Sequence, residues 1–245
     1  MNELTLIEGH KAIDPPAGVP IWQIDPYDPD VLIDAPAFFR ELHDKGDFAY
    51  LSKYSMLICG GYEVTREVFS DHERFVSSRG VGVSDFKLQE PWRPPSIVLE
   101  VDPPAHNRTR RVIMRALSPK VVRDLRDAFQ ADAETLINTV QKKQEIDAVT
   151  DIAEAFSTSV FPRAVGIKYP DSRRLIDYGA MVFNALGPDN ALRQKMMAKA
   201  PDIAPWINNA CKRENLTEGG IGAAIHAASD QGEITEAEAE MLVRS

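Results

Sequence analysis

Residues 102–111, Asp-Pro-Pro-Ala-His-Asn-Arg-Thr-Arg-Arg, hold the densest grouping of side chains able to do chemistry in this chain. Asp102 can cap a helix, and Pro103 and Pro104 fit its first turn, so His106 and Arg110, four residues apart, fall on one face. Ile113 and Leu117 continue that stripe, which makes the face half polar and half apolar. Such a face suits a flat apolar ligand that carries carboxylates, because a guanidinium fork matches a carboxylate with two parallel hydrogen bonds. A solvated pair or a structural ion pair satisfies the same spacing. Upstream, Arg93 and Ser96 stand beside Ile97, Val98 and Leu99, a polar end next to apolar walls, although a single Arg on a loop is more often solvated than a ligand. Between residues 105 and 126 seven Lys or Arg stand against a single acid, Asp124. Arg108, Arg111 and Arg115 share a helix face rotated away from His106 and Arg110, and that face either meets an acidic partner or balances nearby carboxylates.

The elements that must position these residues are mostly helices. Residues 34–46 predict a short amphipathic helix, with Asp34 and Pro36 at its start, Phe38, Phe39 and Leu42 at helical spacing and Gly46 at its end. Residues 48–58 are rich in aromatic and aliphatic side chains and predict a strand, followed by a tight turn at Gly60-Gly61 and a helix over 63–70. Residues 75–104 lose all periodicity and are broken by Gly80, Gly82 and several prolines; their Phe86, Trp92 and aliphatic run predict an ordered loop. Ser118-Pro119 opens the clearest helix, on which Val122, Leu125, Phe129, Ala133, Leu136 and Val140 mark one buried face. Further helices are expected over 151–165, 171–186, 190–213 and 220–229. Thr235 and Glu238 form a capping box, and the apolar run of the helix they start reaches Ser245 without a terminator, so that helix is expected to continue past it. The fold class is mainly α with a small β component near the N-terminus.

Composition narrows the function. An apolar content of 44% over 245 residues supports a buried core, and a formal net charge of -9 argues against a protein that coats nucleic-acid phosphates. Residues 1–20 contain no apolar run long enough for a signal core or a membrane span, so a cytoplasmic protein with no membrane partner is expected. Cys59 and Cys211 lie far apart without metal-ligand spacing and read as structural thiols.

The string DPPAHNRTR resembles the D-P-P-x-H-x-x-x-R pattern at the start of the C helix in bacterial cytochromes P-450, where the His and the Arg bind the haem propionates. The resemblance implies that His106 and Arg110 bind haem b, and the order of helices and strand matches that family along the whole chain. It implies that residues 1–245 are the N-terminal portion of a single cytochrome P-450 domain, ending at the start of the long central helix. The family's oxygen-activating stretch, its Glu-x-x-Arg pair and its Phe-x-x-Gly-x-x-x-Cys loop do not occur in these residues. No catalytic residue and no iron ligand is therefore assigned, and these residues alone are not expected to be active. The strings at 77–87, 91–96 and 182–188 are similar to the bacterial subfamily that oxidises para-substituted benzoates. By that resemblance Arg93, Ser96, Arg244 and Ser245 gather around the substrate carboxylate, while Leu99 and Phe183 hold the ring. The subfamily carries a second Phe where this chain has Leu186, which implies a roomier wall near the ring. The implied reaction is hydroxylation or oxidative demethylation of a small aromatic carboxylic acid. It would use dioxygen and electrons from an iron-sulfur ferredoxin with its reductase, docked on Arg108, Arg111 and Arg115. A helical binding module for small aromatic acids without a redox role is the alternative.

Overall fold

A computed structural model describes residues 13–245, so part of the 1–20 segment read above lies outside the described residues. The described chain falls into two units. The first comprises the described residues up to Pro95, with Glu100–Asp102 and Ala185–Arg193. Its elements are β1 (Ile21–Trp22), α1 (Pro29–Ile33), α2 (Ala35–Asp44), β2 (Ala49–Leu51), β3 (Met56–Ile58) and α3 (Tyr62–Ser70). Asp34 starts α2, its carboxylate accepting from the Ala37 amide at 3.2 Å. Phe38 and Leu42 face inward, and Phe38 stacks on Trp22 with ring centroids 5.1 Å apart. Phe39 points out and is 59% exposed.

Residues 48–58 are not one strand. They form a hairpin, β2 antiparallel to β3 with Tyr50 opposite Leu57, and β1 pairs parallel with β2 on its other edge. The chain reverses over 52–55, where polar Ser52, Lys53 and Ser55 interrupt the apolar run and Ser55 takes a φ of 49°. Gly60 and Gly61, expected as the turn, instead lead into α3: Gly61 is its N-cap, and Gly60 lies so close to Leu42 that a Cβ would meet its Cδ2 at 2.7 Å. Residues 75–104 contain no regular element, as expected.

The second unit comprises Ser96–Leu99, Pro103–Asn184 and Gln194–Ser245. Its helices are α4 (Ala105–Ala116), α5 (Pro119–Val140), α6 (Ala155–Val165), α7 (Ser172–Ala185), α8 (Ala191–Met197), α9 (Ala200–Ala210), α10 (Ile221–Asp230) and α11 (Glu236–Arg244), the ends of α7 and α8 being shared with the first unit. A π-helical stretch, Ala148–Glu154, leads into α6, which ends at Gly166 in the left-handed region, φ 94°. The single helix expected over 190–213 breaks before Ala200, where Pro201 fits the first turn of a new helix but not the interior of a longer one.

α10 is the hub of this unit and packs on α4, α6 and α11. Val98, Val112, Ala116, Ile225, Ala228, Ala239 and Leu242 form its main core. The apolar face of α5 is less covered than its periodicity predicts: only Val140 is buried, Leu125, Phe129, Ala133 and Leu136 are half-buried, and Val122 is 54% exposed. The capping box of α11 forms as predicted, the Glu238 amide donating to Thr235 Oγ1 at 3.2 Å and the Thr235 amide to Glu238 Oε2 at 2.8 Å. No helix among the described residues is long and apolar enough to cross a membrane.

Candidate functional site

α4 carries the first group of candidate residues. Asp102 does not cap it. Its carboxylate turns back to accept from the amides of Ser77 at 2.8 Å and Ser78 at 3.2 Å, so the helix starts later, at Ala105 behind Pro104. The Ser78 hydroxyl and the two amides hold the Asp102 carboxyl below the usual range against the opposing effect of burial. The shared face of His106 and Arg110 survives this shift of start, because it depends only on their separation of four. Thr109, Val112 and Ala116 form the buried side of α4, leaving His106 half-buried and Arg110 exposed on the other. Met114, 53% exposed, and Leu117, 41% exposed, extend that face, whereas Ile113 leans into the core. Neither the His106 nor the Arg110 side chain has a hydrogen bond or ion pair among the described residues.

Two unengaged cationic or hydrogen-bonding groups beside exposed apolar side chains fit a flat apolar cofactor that carries carboxylates. Of the two competing readings of the same spacing, a structural ion pair is not formed among the described residues, while a solvated pair has the same exposure. The residues that would hold such a group are therefore His106 and Arg110, with Met114 and Leu117 as apolar contacts.

The loop before α4 is held to it by Thr109, whose hydroxyl lies 2.6 Å from the Ile97 carbonyl and 3.1 Å from the His106 carbonyl. Ser96 is buried, and its Oγ accepts from the amides of Val98 at 3.3 Å and Leu99 at 3.1 Å. The same Oγ lies 3.3 Å from Ser245 Oγ at the end of α11, so two of the predicted carboxylate-binding residues, 149 positions apart, come together. Ser245 Oγ donates to the Met241 carbonyl at 2.8 Å, which leaves it the acceptor toward Ser96. Arg244 donates to Asn208 Oδ1 at 2.7 Å. Leu99 and Phe183 are 50% and 77% exposed.

In the first unit Arg93 is not a solvated loop arginine. Its Nη1 and Nη2 grip Glu100 at 2.9 and 3.1 Å, and its Nη1 also donates to the Pro94 carbonyl at 2.9 Å. Sequence reading missed Glu100, although a lone acid inside the apolar run from Ile97 to Val101 is a signal for a buried, paired charge. Leu186 is half-buried. Its carbonyl accepts from the Val83 amide at 2.9 Å and crowds Gly82, where a Cβ would sit 2.5 Å from that oxygen.

The basic face of α4 is partly neutralised. Arg108 forks onto Glu238 and reaches the Glu233 carbonyl at 3.2 Å, and Arg115 pairs with Glu233 at 2.7 Å. Arg111 alone of the predicted docking trio has no partner among the described residues. Arg108, with the Thr235 amide, pulls the Glu238 carboxyl down to about 2. Arg213 does the same to Glu236, also held at about 2 with help from Ser229 and His226. Cys211 is buried, and desolvation pushes its thiol up to about 12, while Cys59 is half-exposed. Both thiols remain unpaired, and no group of three or more His, Cys, Asp or Glu able to hold a metal ion occurs among the described residues.

Comparison with known proteins bears on the family and the fold. The cytochrome P450 family model matches residues 37–167. Cytochrome P450 CYP199A2 of Rhodopseudomonas palustris is 45% identical over 230 residues, which are 94% of this chain and 56% of that protein. Nocardicin C N-oxygenase of Nocardia uniformis is 26% identical over 72% of this chain and 44% of its own length. The chain thus spans about half the length of these relatives. Among solved structures, HinD matches with a TM-score of 0.70 at 20% identity, over 92% of this chain and 57% of that one. Cytochrome P450 CYP109Q5 of Chondromyces apiculatus matches with a TM-score of 0.63 at 22% identity, over 90% and 55%. At such identities these two matches bear on the fold alone.

Proposed function

The chain belongs to the cytochrome P450 family, whose members bind haem b, and from that membership we propose that the intact protein is a haem-dependent monooxygenase acting on para-substituted benzoates such as para-methoxybenzoate. The observation that carries the cofactor reading is the unengaged His106–Arg110 pair on α4 beside exposed Met114 and Leu117. When bound, haem supplies the dioxygen chemistry, and the polypeptide supplies binding and aim. His106 and Arg110 hold the propionates by charge-assisted hydrogen bonds. The remaining electrons come from a ferredoxin and its reductase, and the protein works in the cytoplasm.

The benzoate reading is supported by the approach of Ser96 and Ser245, which brings together two hydroxyls, one from a loop and one from a helix end; to receive a carboxylate their protons turn away from each other and from the Met241 carbonyl. Arg93, Arg244 and these two serines orient the carboxylate, directly or through water. Leu99 and Phe183 bury the ring, and the aliphatic wall at Leu186 leaves room for the para group. A rigid aromatic acid held at one end has its opposite carbon fixed, and such orientation alone lowers a barrier by several kcal/mol. The electron donor docks on the basic side of α4, where Arg111 is, of the three arginines of that face, the one without a partner among the described residues.

The test is spectroscopic. The intact haem-loaded protein should show a substrate-induced spectral shift with para-substituted benzoates, weakened by a Ser96→Ala, Ser245→Ala double variant that retains its haem. An equal response to the corresponding neutral esters, in both proteins, would remove the aromatic-acid reading.

A further inference from the structure

Arg93 has five N–H donors, one on Nε and two on each Nη. Glu100 Oε2 and the Pro94 carbonyl, both at 2.9 Å, take the pair on Nη1, and Glu100 Oε1 at 3.1 Å takes one from Nη2. No other hydrogen bond or ion pair engages Arg93 among the described residues, so the Nε–H and the second Nη2–H remain. These two lie parallel along one side of the guanidinium plane, a second fork with the spacing of a carboxylate. The Trp92 ring, 5.3 Å from Cζ, covers one face of the group. The Glu100 side chain is 1% exposed and that of Arg93 17%, so the guanidinium is held from the inside and reachable only at what is left over.

We propose that Glu100 is a positioning residue: by gripping the end of the Arg93 guanidinium from the protein interior, it sets the side fork, Nε–H with Nη2–H, as the edge that receives the substrate carboxylate. This rests on the reading of the substrate as an aromatic acid. Recognition then depends on the direction of two hydrogen bonds and not on an excess of positive charge, because the Arg93–Glu100 pair is already neutral. A charge-only account makes the opposite forecast, since removing the acid would expose a full positive charge and tighten the binding of an anion.

The experiment measures dissociation constants of para-methoxybenzoate and of neutral para-methoxybenzamide for the intact, haem-loaded protein by calorimetry. The variants are Glu100→Asp, which keeps the charge and shortens the reach, Glu100→Gln, which keeps the shape and removes the charge, and Arg93→Lys, which keeps the charge and loses the fork. Each should weaken the benzoate about tenfold, the difference between a well-made and a misdirected charged hydrogen bond, and leave the amide within about twofold. The benzoate-to-amide ratio is the informative readout, because a general loss of packing lowers both affinities together. Benzoate binding that is unchanged in Glu100→Asp, or tighter in Glu100→Gln, while Arg93→Lys weakens it, overturns the role of Glu100 and leaves the aromatic-acid reading standing. A ratio unchanged in all three variants overturns both.

Discussion

Replacing Glu238 by Ala should destabilise the protein by about 1–2 kcal/mol at neutral pH, by the loss of two separate contributions. Glu238 closes the capping box of α11 with the Thr235 amide at 2.8 Å, and it receives the Arg108 fork that ties α4 to α11. Its carboxyl falls from the usual 4.5 to about 2 in the folded protein. Taken at face value, that shift corresponds to about 3 kcal/mol. The Arg108 side chain is 44% exposed, however, so solvent screening reduces its share to under about 1 kcal/mol, and the cap contributes about another 1 kcal/mol. Because the folded pKa lies below the unfolded one, this stabilisation is fully present above about 4.5 and is lost as the pH falls toward about 2. Urea denaturation of wild type and Glu238→Ala at pH 7 and pH 3 reads it directly. The deficit of the variant should shrink by roughly half between the two, and Glu236, which titrates in the same window, cancels in the comparison. A deficit under about 0.5 kcal/mol at pH 7, the range of an unconstrained surface site, or one equal at both pH values, refutes the reasoning. The contact joins the helix bearing His106 and Arg110 to the helix bearing Arg244 and Ser245, so the variant should also broaden substrate response.

Three further outcomes are expected. Changing both His106 and Arg110 to Ala should speed haem transfer to an acceptor globin by at least about tenfold, since charged hydrogen bonds contribute on the order of 1.5–3 kcal/mol each; transfer at the wild-type rate would exclude them as propionate ligands. In stopped-flow reduction by a ferredoxin, Arg111→Ala should lower the rate severalfold at low salt and flatten its salt dependence, and further change of Arg108 and Arg115, already engaged by Glu238 and Glu233, should add little. Alkylation at pH 8 followed by mass spectrometry should modify Cys59 well before Cys211, whose thiol is buried and held up to about 12.

Much of what local spacing controls was legible without coordinates. The α11 capping box, the Asp34 start of α2 and the common face of His106 and Arg110 each depend on residues within one or two helical turns, and there the chemistry of neighbours dictates geometry. The matching of the residue strings to a family added what spacing could not, namely which ligand that face would take. Where the reading failed, a distant group had intervened. Asp102 has the character of a cap, but Ser77 and Ser78 claim its carboxylate and the helix starts without it. Residues 48–58 look like one apolar run until pairing with β1 and with itself divides it into a hairpin. The basic face of α4 counts as cationic in the sequence, yet Glu233 and Glu238, more than a hundred residues later, neutralise two of its three arginines. Arg93, a loop residue by pattern, becomes a fixed fork because Glu100 is buried beneath it. Sequence determined which side chains share a face; tertiary structure decided which charges were left to meet a ligand, because a buried ion must find its counter-charge wherever packing brings one.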